Sequence, residues 1–366
     1  MTTAILNSRL TIGETPSDFA TQSLFGGESS QRSEISEPDW LNNAVALASL
    51  NGPSKSEVDD VMRLWIETQT AARAMKAIDC LIDRAKTTKL PGGIRLSGEG
   101  GTGKTFILHR ILKKYRAVDN GFQLHCPVIY IRLEKSPSPA WIISAILKAI
   151  GDTLPHRSSD RRTPEERVAE SLRHCGVLLI LVDEAQNLFP ASGPRRNRER
   201  LAGNVAETVK ILYDLSGVAI VWTGLPSFDA VFRNDSQLGT RWPGAITLPQ
   251  FDNSNEWMGV LKGLSQAVDG VLGYRFDFDL YSPSIAAHMH RMTGGNFRVL
   301  KNLLSEMIRI ALVASKKSVG MAILEQAVEQ LALVPLPTSA EVRIEPLTKA
   351  NGAKARTLPE LMKRAR

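Results

Sequence analysis

The chain has 366 residues, 43% hydrophobic and 23% charged, an ordinary balance for a folded protein whose core needs no disulfide or metal staple. No apolar stretch approaches the ~18–20 residues that cross a bilayer. The first residues lack a basic segment followed by an apolar one, so a cytoplasmic protein with no membrane partner is expected. Cys80, Cys126 and Cys175 stand far apart, without a CxxC or a histidine at ligand spacing, which argues against a zinc module. The net charge of +7 suits a polyanionic partner.

Residues 1–38 are rich in Ser, Thr, Gly and Glu and show no sustained apolar period, so a mobile acidic arm is expected. From residue 39 to 89 apolar positions return at helical spacing (Val58, Val61, Met62, Trp65, Ile66, then Ala74, Ile78, Leu81, Ile82), giving a helical lead-in that Pro91-Gly92-Gly93 breaks. Apolar runs at 94–97, 128–133, 177–182, 218–223 and 245–248 then alternate with helical patterns at 104–116, 139–150, 165–174 and 205–215. Such alternation predicts an α/β core over 39–250, a parallel sheet flanked by helices. Residues 251–335 read as a helical lid, with Trp257, Val260, Leu261 and Leu264 on one stripe and Val299, Leu300, Leu303, Leu304 and Ile308 on another. Residues 336–366 form a basic tail with seven basic and three acidic groups from 338 onwards.

The most specific motif is Gly98-Glu99-Gly100-Gly101-Thr102-Gly103-Lys104-Thr105, a full GxxxxGK[ST] between an apolar strand and a helix. Glycines permit a tight turn whose N–H groups point at phosphates. Lys104 would reach the β- and γ-phosphates of a nucleotide and Thr105 would ligate Mg²⁺, with Phe106 completing the candidate nucleotide-binding set. The run 177–182 ends in Asp183-Glu184, two carboxylates that a core would not otherwise tolerate. Asp183 is placed to hold Mg²⁺ and Glu184 to polarise the attacking water. Together the two motifs specify an NTPase.

Asp183-Glu-Ala-Gln186, followed by Trp222-Thr-Gly-Leu-Pro226, Gln237-Leu-Gly-Thr-Arg241-Trp242 and Thr293-Gly-Gly-Asn-Phe-Arg298, resembles the AAA+ ATPases of transposition, TniB and TnsC, which act in target selection. The resemblance covers about residues 60–335. It implies an AAA+ P-loop NTPase fold in which Thr223 is sensor 1, Gln186 senses the γ-phosphate or positions water, and Arg298 is sensor 2. Arg241 would act across a subunit interface as the arginine finger, with Arg233 as the rival. It further implies ATP-bound subunits that assemble as a ring or helical filament on duplex DNA, mark the target, and recruit a transposase and a target-selection protein, with hydrolysis controlling disassembly.

No base-reading motif occurs, so contacts to DNA should go to the backbone and be salt-sensitive. The candidates are Arg132 and Lys135 after the second core run, Arg157, and the basic insertion Arg195-Arg196-Asn-Arg198. The six tryptophans are interleaved with apolar segments and read as core or interface, and no histidine pairing suggests chemistry. Two other AAA+ readings share the core motifs: a replication initiator or helicase loader, and a secretion-associated ATPase.

Overall fold

The computed structural model describes residues 11–12, 52–119, 124–152, 162–188 and 195–333. Most of the arm, the basic tail and Arg157 lie outside the described residues. Of the arm, Thr11–Ile12 (β1) pairs antiparallel with Leu64–Trp65 (β2).

Five strands form one parallel sheet: β3 (Gly93–Gly98), β6 (Val128–Arg132), β7 (Leu179–Asp183), β8 (Ala219–Gly224) and β9 (Gly244–Leu248), in the order β6-β7-β8-β3-β9. They fall on the five apolar runs expected. Every residue of β7 and β8 is buried, as uninterrupted apolar composition requires of strands covered on both faces. The two-residue pairs β4 (Val118–Asp119) and β5 (Leu124–His125) form a small hairpin outside the sheet.

On one face lie α2 (Gln69–Ala85) and α3 (Lys104–Lys114), whose Ile78, Ile82, Ile107 and Ile111 bury against Leu96, Leu181 and Val221. On the other lie α4 (Pro139–Ala149), α5 (Pro164–His174), α6 (Arg195–Ser216), α7 (Pro226–Asn234) and α8 (Ser236–Arg241). Local chemistry fixes several starts. Pro139, Pro164 and Pro226 stand at first-turn positions, and Thr163 with Glu166 completes a capping box at α5. The helix expected at 205–215 begins ten residues earlier, at Arg195. The Arg195-Arg196-Asn-Arg198 cluster is thus the first turn of α6, and arginine's good helix propensity explains why a polar stretch continues an apolar helix.

The lid comprises α9 (Asn255–Ala267) with a π-helical turn at Val268–Leu272, α10 (Pro283–Thr293), α11 (Phe297–Val313) and α12 (Met321–Gln330), plus the short parallel pair β10 (Arg275–Phe276) and β11 (Ser318–Val319). Trp257, Leu261, Leu303 and Leu304 fill its core, and the Trp257 indole donates to the Ala286 carbonyl at 2.8 Å. The first half of the lead-in joins this unit. Helix α1 (Gly52–Arg63) packs on α11, and Val61, Leu64 and Ile66 are buried in the lid core, whereas α2 packs on the sheet. The lead-in therefore straddles core and lid. Among the described residues, no helix is long and apolar enough to cross a membrane.

Candidate nucleotide site

The order of strands reverses between β8 and β3, and the crevice at the carboxyl ends of the strands at such a switch point is where α/β sheets bind ligands. The turn 99–103 leaves β3 there and α3 starts at Lys104. Gly103 caps that helix at φ +93° and Gly101 sits at φ +81°, a region glycine adopts without penalty. A Cβ on Gly101 would also lie 2.8 Å from the Cβ of Arg298 and 2.4 Å from Oδ1 of Asn296.

Lys104 folds back over the turn, donating to the carbonyls of Gly98 (2.6 Å) and Glu99 (2.8 Å), while the Thr102 hydroxyl donates to the Glu99 carbonyl at 2.9 Å. Burial lowers the Lys104 ammonium pKa, opposed by the charges of Asp183 and Glu184. Asp183 is 2% exposed and collects four donors. Thr105 Oγ1 (2.8 Å) and Tyr130 OH (3.2 Å) reach Oδ2; Thr223 Oγ1 (2.6 Å) and the Glu184 amide (2.9 Å) reach Oδ1. The adjacent hydroxyl and carboxylate of Thr105 and Asp183 are hard oxygen donors of the kind Mg²⁺ takes.

Glu184 has φ +58°, a left-handed conformation that costs a non-glycine residue about 1–3 kcal/mol and gathers at functional sites. The following turn, Ala185–Leu188, fixes it: the Asn187 amide donates to the Glu184 carbonyl at 2.8 Å and the Asn187 side chain to the Leu133 carbonyl at 2.9 Å. Both carboxylate oxygens of Glu184 have partners. Arg132 Nη2 donates to Oε1 at 3.4 Å and the Gln186 amide donates to Oε2, while Gln186 Oε1 accepts from the Leu225 amide at 3.0 Å.

The lid closes the far side. Asn296 caps α11 by accepting from the amides of Arg298 and Val299, and its Nδ2 donates to the Gly100 carbonyl at 2.7 Å. Desolvation lowers the Arg298 pKa, against the opposing pull of Glu184 and with repulsion from Arg132. Lys104, Arg132 and Arg298 thus converge on one acidic pair.

Of the expected site residues, Lys104, Thr105, Asp183, Glu184, Gln186, Thr223 and Arg298 meet at this crevice. Phe106 faces the lead-in, its ring stacked on Trp65. Arg132, expected on DNA, is drawn to Glu184 because β6 pairs in register with β7 and sets Arg132 opposite Asp183. Lys135 is exposed beyond β6. Arg241 lies at the other end of the sheet, its carbonyl 3.5 Å from where a Gly92 Cβ would be, about 20 Å of strand from the phosphate turn. Its guanidinium grips Asp214 through Nε (3.2 Å) and Nη2 (2.7 Å). The rival Arg233 is exposed on α7.

Sequence reading missed Tyr130, Asn296 and His109. Tyr130 shares a face with Arg132 by the two-residue period of a strand, which is the signal that could have found it. Burial, and next the charge of Asp183, raise its phenol pKa. His109, one turn along α3 from Thr105, lies 5.2 Å from the Tyr130 ring. Burial pushes it down to about 4, against the opposing pull of Asp183. A histidine neutral in the fold takes up a proton on unfolding, so its contribution is present above about pH 6.5 and is lost as pH falls towards 4. The loss is at most ~3 kcal/mol. Thermal melts of His109→Asn should decline less over that window than those of the parent; parallel declines would refute the assignment.

A family model for the bacterial TniB protein matches residues 62–253, more than half the chain. No curated protein sequence matches. Among solved structures, the chain is similar to the Aeropyrum pernix ORC2 protein in its ADPNP–ADP complexes (TM-score 0.51, 15% identity, 71% of this chain and 66% of that one). It is also similar to Cdc6p from Pyrobaculum aerophilum (TM-score 0.48, 19% identity, 72% and 68%). The chain therefore spans about two thirds of either structure. The ORC2 likeness concerns the fold alone, a P-loop sheet with a helical lid. Sheet, phosphate turn and family match agree: the chain belongs to the TniB family and has the fold of an AAA+ P-loop NTPase.

Proposed function

We propose that this protein is an ATP-dependent, DNA-binding regulator of transposition. Subunits loaded with ATP and Mg²⁺ join head to tail on duplex DNA, mark the target, and recruit the transposase and a target-selection protein. Hydrolysis then dissolves the assembly. The family match over the ATPase core carries the reading.

The site's geometry supports a switch rather than a steady turnover enzyme. Mg²⁺, held by Thr105 and Asp183, would neutralise charge on the β- and γ-phosphates. Lys104 leaves the Gly98 and Glu99 carbonyls for the phosphates, and Thr223 keeps Asp183 oriented. Arg132 holds one oxygen of Glu184 and competes with a water for it, and this half-exposed arginine is the partner a phosphate can draw away. An exposed pair of this kind is worth about 0.2–1 kcal/mol. Arg132→Ala is accordingly expected to raise DNA-free hydrolysis about two- to five-fold; a fall in the basal rate would show that Arg132 assists chemistry instead.

Backbone-directed binding is supported by the basic first turn of α6, with Arg195, Arg196 and Arg198, and by Lys135. Fluorescence anisotropy with a labelled duplex tests the reading. ATP should promote binding that weakens steeply with salt, and ADP or Lys104→Ala should abolish it. Binding indifferent to nucleotide would sink the proposal.

A further inference from the structure

Behind the phosphate turn, a file of cations and aromatic rings runs from the core into the lid. The Arg110 guanidinium lies over the Trp65 ring at 5.2 Å, and Trp65 stacks on Phe106 with centroids 5.1 Å apart and planes 4° from parallel. The Lys301 ammonium then sits between Phe106 (5.1 Å) and Phe297 (5.0 Å). The members come from β2, α3 and α11. Two of the three rings also adjoin a site residue in sequence: Phe106 follows Thr105, and Phe297 lies between Asn296 and Arg298.

Lys301 is 4% exposed and donates to the Met62 carbonyl at the end of α1, 2.8 Å away. Lysine is almost never fully buried unless paired, and a buried charge facing rings and one carbonyl is costly to desolvate. Burial alone lowers its pKa, to about 7, with no charged neighbour contributing. A methionine would fill the same space without that cost. What the ammonium adds is attachment, because from α11, where Phe297 lies one turn away, it reaches the Phe106 ring on α3 and the Met62 carbonyl on α1.

We propose that Lys301 is a positioning residue of the ATPase site, clamping the lid helix α11 to the phosphate-binding helix α3 so that Asn296 and Arg298 stay at the turn. The proposal rests on the nucleotide-site reading above. Lys301 touches no phosphate; it acts through the helix that bears Asn296 and Arg298.

The test uses the full chain with Lys301→Met and Lys301→Arg, measuring Tm and the kinetics of ATP hydrolysis. Lys301→Met should keep or raise Tm, since a buried charge is removed, yet raise KM for ATP about 5- to 10-fold with a smaller change in kcat. Lys301→Arg, which retains a ring-facing cation, should fall nearer the parent. An unchanged KM would overturn the proposal, and so would a raised KM accompanied by a lowered Tm, which marks a merely structural lysine. If Lys301→Met does not fold, Phe106→Leu removes the α3 ring that receives the ammonium and is read by KM alone, a raised KM being expected and an unchanged one overturning the proposal. The parent protein and Lys104→Ala separate the two claims: no ATP turnover in the parent would refute the nucleotide-site reading itself, whereas parent turnover with an unaltered Lys301→Met KM refutes only the clamp.

Discussion

Replacing Glu184 with Gln is expected to leave ATP affinity within about two-fold and to lower hydrolysis by about 10²–10⁴-fold, the contribution of a positioned general base. The substitution keeps the side chain's length, so the left-handed turn and the contacts of Asn187 should survive. It removes the charge that receives Arg132 and offsets the desolvation of Lys104 and Arg298. The variant should therefore trap the ATP-bound form, lengthening the lifetime of its assemblies on DNA. Single-turnover hydrolysis with ATP binding measured in parallel checks this. A variant that binds ATP and still hydrolyses at the parent's rate would show that another group takes the proton.

Arg241→Ala should match that effect by a different route. An arginine finger supplied across an interface is worth about 10³–10⁵ in kcat. Within one subunit Arg241 lies at the opposite end of β3 from the phosphate turn and cannot serve its own site. Arg241→Ala should thus abolish assembly-dependent hydrolysis while leaving nucleotide binding by a single subunit unchanged. Mixing it with Lys104→Ala is the sharper measurement, because a Lys104→Ala subunit still presents Arg241 and an Arg241→Ala subunit still presents an intact site. The mixture should recover part of the activity that each variant lacks alone. No recovery would place the finger elsewhere, with Arg233 next to be tried. Asp214, which holds the guanidinium, must release it on docking; its hydrogen bond is the main cause that raises the Arg241 pKa.

The parts legible in the sequence are those encoded by neighbouring residues. The phosphate turn occupies eight successive positions, and the central strands announce themselves because burial on both faces demands unbroken apolar runs. Prolines and a capping box mark helix starts in the same local way. What stayed hidden depends on register between distant segments. Nothing near Arg132 says that β6 lies beside β7 and brings it to Glu184, nor does Asn296 announce Gly100, nearly 200 residues away. Lys301 was hidden for a chemical reason: lysine in a helical pattern reads as a solvated position, and only the fold shows it enclosed by Phe106, Phe297 and the Met62 carbonyl. The division of the lead-in between lid and sheet was likewise invisible, because α1 and α2 carry similar apolar stripes and differ only in what covers them.

The central claim is that ATP at this site builds an assembly on DNA. Negative-stain microscopy of the purified protein with duplex DNA, comparing ATP, a non-hydrolysable analogue and ADP, with Lys104→Ala as control, tests it most directly. Rings or filaments on DNA with ATP or the analogue, absent with ADP and with the variant, are the predicted result. Particles whose form ignores both DNA and nucleotide would contradict it.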